Sequence, residues 1–209
     1  KKYESIITHG DIVTIAYNCN SLAQATGIHP DFNGALRPFI LWRIENFAET
    51  LFHTDEMERF LSANNVIIDF AGEKPVETQT IINKLIGRHF RDELKRFLDF
   101  AKAKIVKTPP MLDAIQREFA YAIQYDINSI DQFSELTGEK PDYSNPVIAK
   151  AVSSFQKSLL ENRASVSREM LAKLKLLIDE SGQSLDNEYL WSYSALTNAN
   201  SDIIINWFK

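Results

Sequence analysis

Apolar residues recur every three or four positions along most of this chain, and that spacing constrains the fold more than any other feature. Between residues 12 and 23, for example, Ile12, Ile15, Cys19 and Leu22 would share one face of a helix. Only 7 of the 209 residues are glycine, too few for a turn-rich β architecture. The pattern predicts an all-α fold, a bundle-like globule of about eight or nine helices.

Local signals place several helix ends. Asp11 is a candidate N-cap, Gly27 can close the same helix, and Pro38 suits the first turn of the next one. The segment VIIDF at residues 66–70 resembles a strand but has no evident partner, so we expect a buried extended piece or an irregular turn there. No internal repeat of about 20–50 residues is evident in the sequence.

A boundary is predicted at the TPP segment, residues 108–110, because two successive prolines end a helix. It would separate an N-terminal helical half, residues 1–108, from a C-terminal helical half, residues 109–209. The first half would contain one long basic helix at residues 76–106, with Gly87 as a weak point inside it. A single compact domain is equally consistent with the sequence.

Cysteine content and hydropathy bear on the cellular setting. Cys19 is the one cysteine, no Asn-x-Ser/Thr sequon occurs, and no apolar run reaches the roughly 18 residues that a membrane span needs. These features predict a soluble, intracellular protein without a transmembrane segment. They carry no information about its oligomeric state.

Positive charge is concentrated in residues 81–107, which contain 8 Lys/Arg against 3 Asp/Glu, while the remaining residues contain 15 against 25. If residues 76–106 form one helix, five cations fall within about 60° beside the apolar stripe of Phe90, Leu94 and Phe97. These cations are Lys84, Arg88, Arg91, Lys95 and Lys102. Such a stripe can be a solvated helix face or can pair with carboxylates of the chain itself. It can also bind an external anion.

The predicted function is a non-catalytic helical interaction or regulatory module that binds an acidic protein partner through this stripe. Nucleic-acid binding is the first alternative, through the same cations or through a degenerate helix-turn-helix at residues 21–40. In that motif Ala23, Gly27 and Ile28 fit the expected small, turn and apolar positions. Gly34, Pro38 and a lack of cations argue against it, and the sequence pI of about 5.4 disfavours phosphate binding.

A metal-dependent helical hydrolase is the second alternative. Glu49 and His53 are spaced i, i+4 and could supply two ligands from one helix, as could His89 and Glu93. A second ligand pair is not identifiable, and no phosphate-binding glycine loop or Gly-x-Ser-x-Gly nucleophile motif is present. Cys19 lies on an apolar helix face, which predicts core packing rather than catalysis. We therefore expect no cofactor.

Overall fold

The computed structural model describes residues 2–9, 12–47, 54–161 and 168–182, and within these ranges the chain is helical with no β-strand. The predicted all-α fold is confirmed. The eleven α-helices of this part are α1 (Lys2–His9), α2 (Ile12–Thr26), α3 (Arg37–Phe47), α4 (Thr54–Ala63), α5 (Phe70–Glu73), α6 (Pro75–Gly87), α7 (Arg91–Ala101), α8 (Pro109–Tyr125), α9 (Ile130–Thr137), α10 (Pro146–Glu161) and α11 (Arg168–Ser181). The strand-like residues 66–69 have no regular secondary structure, and Phe70 begins α5.

The chain divides into two compact units, Lys1–Thr108 and Pro109–Lys209. The division falls at the TPP segment, where α8 begins. Each unit contains its own buried apolar residues: Phe70 and Phe97 pack edge to face in unit 1, with ring centroids 6.1 Å apart. In unit 2 Phe119 and Phe133 pack in the same way at 4.9 Å.

Unit 1 is built from helices stacked in two rows. The helices α1, α3 and α6 contact one another in sequence and form the first row, while α2, α4 and α7 form the second row in the same order. The hairpins α1–α2 and α6–α7 link the rows. This arrangement, in which a helix contacts the corresponding helix of the next pair, is also seen in helical repeat proteins.

The same local pattern recurs along the chain although the sequence shows no repeat. Pro38, Pro75, Pro110 and Pro146 lie in the first turns of α3, α6, α8 and α10, at nearly equal intervals. A residue with left-handed backbone geometry lies one or two positions after the second helix of each pair: Gly27, Asn65, Lys102, Gly138 and Gly182. The recurrence is one of proline positions and left-handed residues, and it is not accompanied by a repeated amino-acid sequence.

The predicted long basic helix at residues 76–106 is wrong. α6 ends at Gly87, residues 88–90 form a turn, and α7 begins at Arg91 and ends at Ala101. His89 adopts φ 63°, and two hydrogen bonds close α6: His89 N–H donates to the Ile86 carbonyl at 3.1 Å and Phe90 N–H donates to the Leu85 carbonyl at 3.0 Å. This is a Schellman C-cap with histidine in the place that glycine usually takes.

The apolar pattern explains why the chain turns there. On one continuous ideal helix, the buried residues of α6 and those of α7 would point in directions about 125° apart. A single straight helix could therefore bury only one of the two sets, whereas a hairpin buries both. The residues concerned are Thr78, Ile81, Ile82, Leu85 and Ile86 in α6, and Leu94, Phe97 and Ala101 in α7.

Side chains from the first helix of a pair hold the connecting segments that follow the second helix. In unit 1 the Gln79 side-chain amide donates to the Lys104 carbonyl at 2.9 Å and accepts from the Val106 N–H at 3.0 Å. In unit 2 Gln116 does the same, donating to the Lys140 carbonyl at 3.0 Å and accepting from the Asp142 N–H at 2.8 Å. Both glutamines thus satisfy backbone groups as a neighbouring β-strand would.

Unit 2 is organised around α8 and α10, which pack along each other, with α9 against α8 and α11 against α10. Ile115, Phe119, Ala122 and Ile123 of α8 are buried at helical spacing. At the end of α9 the left-handed residue is Gly138, whose N–H donates to the Ser134 carbonyl at 2.8 Å.

Candidate cationic binding surface

The five predicted binding cations are distributed over α6, α7 and the turn between them. Lys84 is in the last turn of α6, Arg88 follows its last residue, Arg91 begins α7, Lys95 is in the second turn of α7, and Lys102 follows its last residue. The single line of charge expected from one continuous helix does not form. Instead, Lys84, Arg88, Arg91 and Lys95 come to the same end of the α6–α7 hairpin, and we call these four the cationic corner.

Lys102 lies at the opposite end of α7. At 1.5 Å per residue it is about 16 Å along the helix axis from Arg91. Lys104, in the extended segment beyond it, is also exposed. It was not predicted as a binding residue, because the expected helix would have continued through it.

Part of the predicted stripe survives on α7 itself. On an ideal helix Arg91 and Lys95 are about 40° apart, on the flank of the face that buries Leu94 and Phe97. On α6, Lys84 points roughly away from the buried residues of that helix. The cationic corner therefore surrounds the hairpin end and does not follow one groove.

The exposure of the five side chains differs. Lys84, Arg88, Lys95 and Lys102 are exposed, whereas Arg91 is half-buried. Lys84, Arg88 and Arg91 each also make at least one contact within the chain. Among the predicted residues, Lys95 and Lys102 are therefore the best positions for testing an external ligand, because their substitution disturbs the fold least.

Other cations of unit 1 form ion pairs within the fold. Arg37 pairs with Glu73, and this hydrogen-bonded contact lowers the pKa of the Glu73 carboxyl. The Lys74 ammonium lies 3.3 Å from a Glu77 oxygen and 3.6 Å from a Glu45 oxygen. These pairs connect α3, α5 and α6, and they show that Arg37 and Lys74 have structural roles.

The helix-turn-helix prediction for residues 21–40 does not match the geometry. Gly27 ends α2 as expected, with φ 68° and its N–H donating to the Ala23 carbonyl at 2.8 Å. The next helix, however, begins only at Arg37, whereas the motif joins its helices by a turn of about three or four residues. Within the long connection the Asp31 carboxylate accepts the N–H groups of Gly34 and Ala35.

The metal candidates Glu49 and His53 lie outside the described residues. Within residues 2–9, 12–47, 54–161 and 168–182, no group of three or more His, Cys, Asp or Glu side chains is arranged to hold a metal ion. In the same part of the chain, no helix has both the length and the apolar character to cross a membrane.

Cys19 is buried in unit 1, with 2% of its surface exposed. Burial raises the pKa of its thiol to about 11, because the thiolate would lose its hydration. We expect Cys19 to react only slowly with a disulfide reagent at pH 8, where about a thousandth of such a thiol is ionised. Since the core accommodates the neutral thiol, stability should fall as pH rises from about 9 towards 11.

Absorbance assays with Ellman's reagent check this expectation. The folded protein should be modified slowly, and the same protein in denaturant should be modified stoichiometrically. Rapid modification of the native protein would show instead an accessible, activated thiol.

No protein-family model matches the chain, and no match is found among the curated proteins or the solved structures.

Proposed function

We propose that this chain is a non-catalytic helical interaction module that binds an acidic segment of another protein through the cations of α6 and α7. The observation that carries the proposal is the segregation of charge: residues 81–107 have 8 Lys/Arg against 3 Asp/Glu, and the rest of the chain has the opposite balance. An acidic protein segment is attracted to the cationic corner and to Lys102. The remaining negative charge repels a long polyphosphate.

The helical architecture supports the same proposal. Stacked helical hairpins offer extended surfaces, and repeat proteins commonly use such surfaces for binding. Four of the five cations are exposed on one hairpin of unit 1. They can therefore contact a partner without a rearrangement of the core.

The test reverses charge at the two positions whose loss disturbs the fold least. We expect the variant Lys95→Glu/Lys102→Glu to bind a fluorescein-labelled oligo-glutamate peptide about tenfold more weakly than the original chain, because attraction at two sites becomes repulsion. Fluorescence anisotropy at low and at physiological salt measures the affinity. The midpoint of thermal unfolding should change little, since both side chains are exposed.

The matched control is Lys140→Glu/Lys150→Glu, which reverses two exposed lysines of unit 2 and changes the net charge by the same amount. It should retain peptide binding. Equal losses in both variants would mean that the peptide senses only net charge, which contradicts a specific surface.

A labelled single-stranded DNA dodecamer separates protein binding from nucleic-acid binding. The proposal expects weak DNA binding that both charge variants change alike. Tight DNA binding that is lost in Lys95→Glu/Lys102→Glu, and falls steeply with salt, would favour the nucleic-acid alternative instead.

A further inference from the structure

Three exposed apolar side chains occupy related places in unit 1. Ile28, Ile67 and Val106 lie in the connecting segments that follow α2, α4 and α7, and their exposed fractions are 65%, 81% and 53%. Single exposed apolar residues are common on protein surfaces. Three of them in successive copies of the same connection are unusual, and we call them the edge row.

Hydrogen bonds fix each segment of the edge row to the beginning of a first-row helix. The Tyr3 hydroxyl of α1 donates to the Ile28 carbonyl at 2.6 Å. The Arg37 guanidinium of α3 donates to the Ile67 carbonyl at 2.9 Å. In α6, Gln79 holds the backbone on either side of Ile105 through the two bonds described above.

The helices α1, α3 and α6 lie side by side, so the segments at their starts follow one another along one edge of unit 1. Neighbouring helix axes are about 8–10 Å apart. An extended peptide in the polyproline II conformation has three residues per turn and rises about 3.1 Å per residue, so every third side chain returns to the same face after about 9 Å. The spacing expected from neighbouring helices therefore suits apolar side chains at every third position of such a peptide.

Charge at the edge row differs between its two ends. Lys102 and Lys104, both exposed, stand in the same segment as Val106. The carboxylates near the other two segments form hydrogen bonds with nearby backbone groups. Asp31 accepts two backbone N–H groups, and Asp69 accepts the Gly72 N–H at 3.0 Å. The positive end is thus complementary to carboxylates of a partner.

We propose that the edge row is a docking surface for an extended acidic segment of a partner protein, with apolar side chains at every third position. The inference rests on the proposed function and adds to it the shape and chemistry of the partner. Because hydrogen bonds already hold the three segments, binding requires little ordering of this surface.

The experiment compares two fluorescein-labelled peptides of twelve residues, one repeating Leu-Glu-Glu and the other Ser-Glu-Glu. The original chain should bind the leucine peptide at least about tenfold more tightly, because leucine side chains are removed from water at the edge row. The variant Ile28→Ser/Ile67→Ser/Val106→Ser should bind both peptides alike. The control variant Tyr125→Ser/Val147→Ser removes two exposed apolar side chains of unit 2 and should keep the preference.

If the triple variant fails to fold, the single variant Ile67→Ser provides the same test, since Ile67 is the most exposed of the three. It should reduce the preference for the leucine peptide about threefold. An unchanged preference in that variant overturns the proposal.

The two proposals fail in different ways. Equal binding of both peptides by the original chain overturns the edge row, while the effect of Lys95→Glu/Lys102→Glu on oligo-glutamate binding can still stand. A leucine preference that depends on the edge row, together with unchanged oligo-glutamate affinity in Lys95→Glu/Lys102→Glu, supports the edge row and contradicts the cationic site. Self-association of the chain that the triple serine variant abolishes, without any peptide preference, would assign the surface to a second copy and overturn the proposal.

Discussion

The variant Lys95→Pro should lower the free energy of unfolding by about 3 kcal/mol or more relative to Lys95→Ala, because proline in a helix interior removes a hydrogen bond and clashes with the preceding turn. Arg91→Pro should differ from Arg91→Ala by less than about 1 kcal/mol. Arg91 is the first residue of α7, where the proline ring has the required φ and the missing N–H has no partner within the helix.

Urea denaturation followed by circular dichroism measures both differences, and the alanine variants correct for lost side-chain contacts. A proline disfavours helical backbone angles in the residue before it. Phe90, which precedes Arg91, has φ −91° and ψ 70° and is therefore not helical. Arg91→Pro should thus cause no clash with Phe90. A single helix through residues 84–104 would instead make both prolines equally damaging, and that result would contradict the hairpin.

Truncating a buried phenylalanine should have an equally large effect. Phe97→Ala should destabilise unit 1 by about 3–5 kcal/mol, because it removes a fully buried ring and its edge-to-face contact with Phe70. Phe119→Ala should destabilise unit 2 by a similar amount through its contact with Phe133. These values are a large part of the stability of a typical domain.

Hydrogen exchange measured by mass spectrometry on fragments of α6 and α8 can separate the two units. Phe97→Ala should accelerate exchange in α6, and Phe119→Ala should accelerate exchange in α8. Val76→Ala, at an exposed position of α6, is the control and should change stability by less than about 0.5 kcal/mol. Faster exchange only in the unit that was not mutated would contradict the division into two cores.

The helical class and several helix ends could be predicted because their signals are local. The spacing of Ile15 and Cys19 reflects one buried face, and both residues are buried in α2. Gly27 was predicted to end that helix from its lack of a Cβ, and it has the expected positive φ. Local signals of this kind do not depend on which helices later pack together.

The break between α6 and α7 was missed because its usual signal is absent. His89 and Lys102 take the left-handed positions that glycine normally fills, so residue type does not mark either helix end. The directions in which the apolar residues would point on one helix did indicate the break. Leu85 and Leu94 would lie about 180° apart on one continuous helix, although both are fully buried. Comparing their directions would have shown that one straight helix cannot bury both against a single core.

The concentration of positive charge was easier to predict than its arrangement in space. Composition alone locates the excess of positive charge in residues 81–107. The arrangement of Lys84, Lys95 and Lys102 depends on where the helices end, and that depends on tertiary packing. The edge row has no signature in composition or periodicity, since Ile28, Ile67 and Val106 become equivalent only when helices of unit 1 stack.

The glutamine contacts at the extended segments have a consequence for solubility. An extended segment with open backbone N–H and C=O groups is a template for pairing with other chains, which leads to aggregation. Gln79 occupies one side of residues 104–106, and Gln116 occupies one side of residues 140–142. Each amide thereby occupies backbone groups that a strand of another chain would otherwise pair with. We expect Gln79→Ala or Gln116→Ala to make the chain more prone to aggregate.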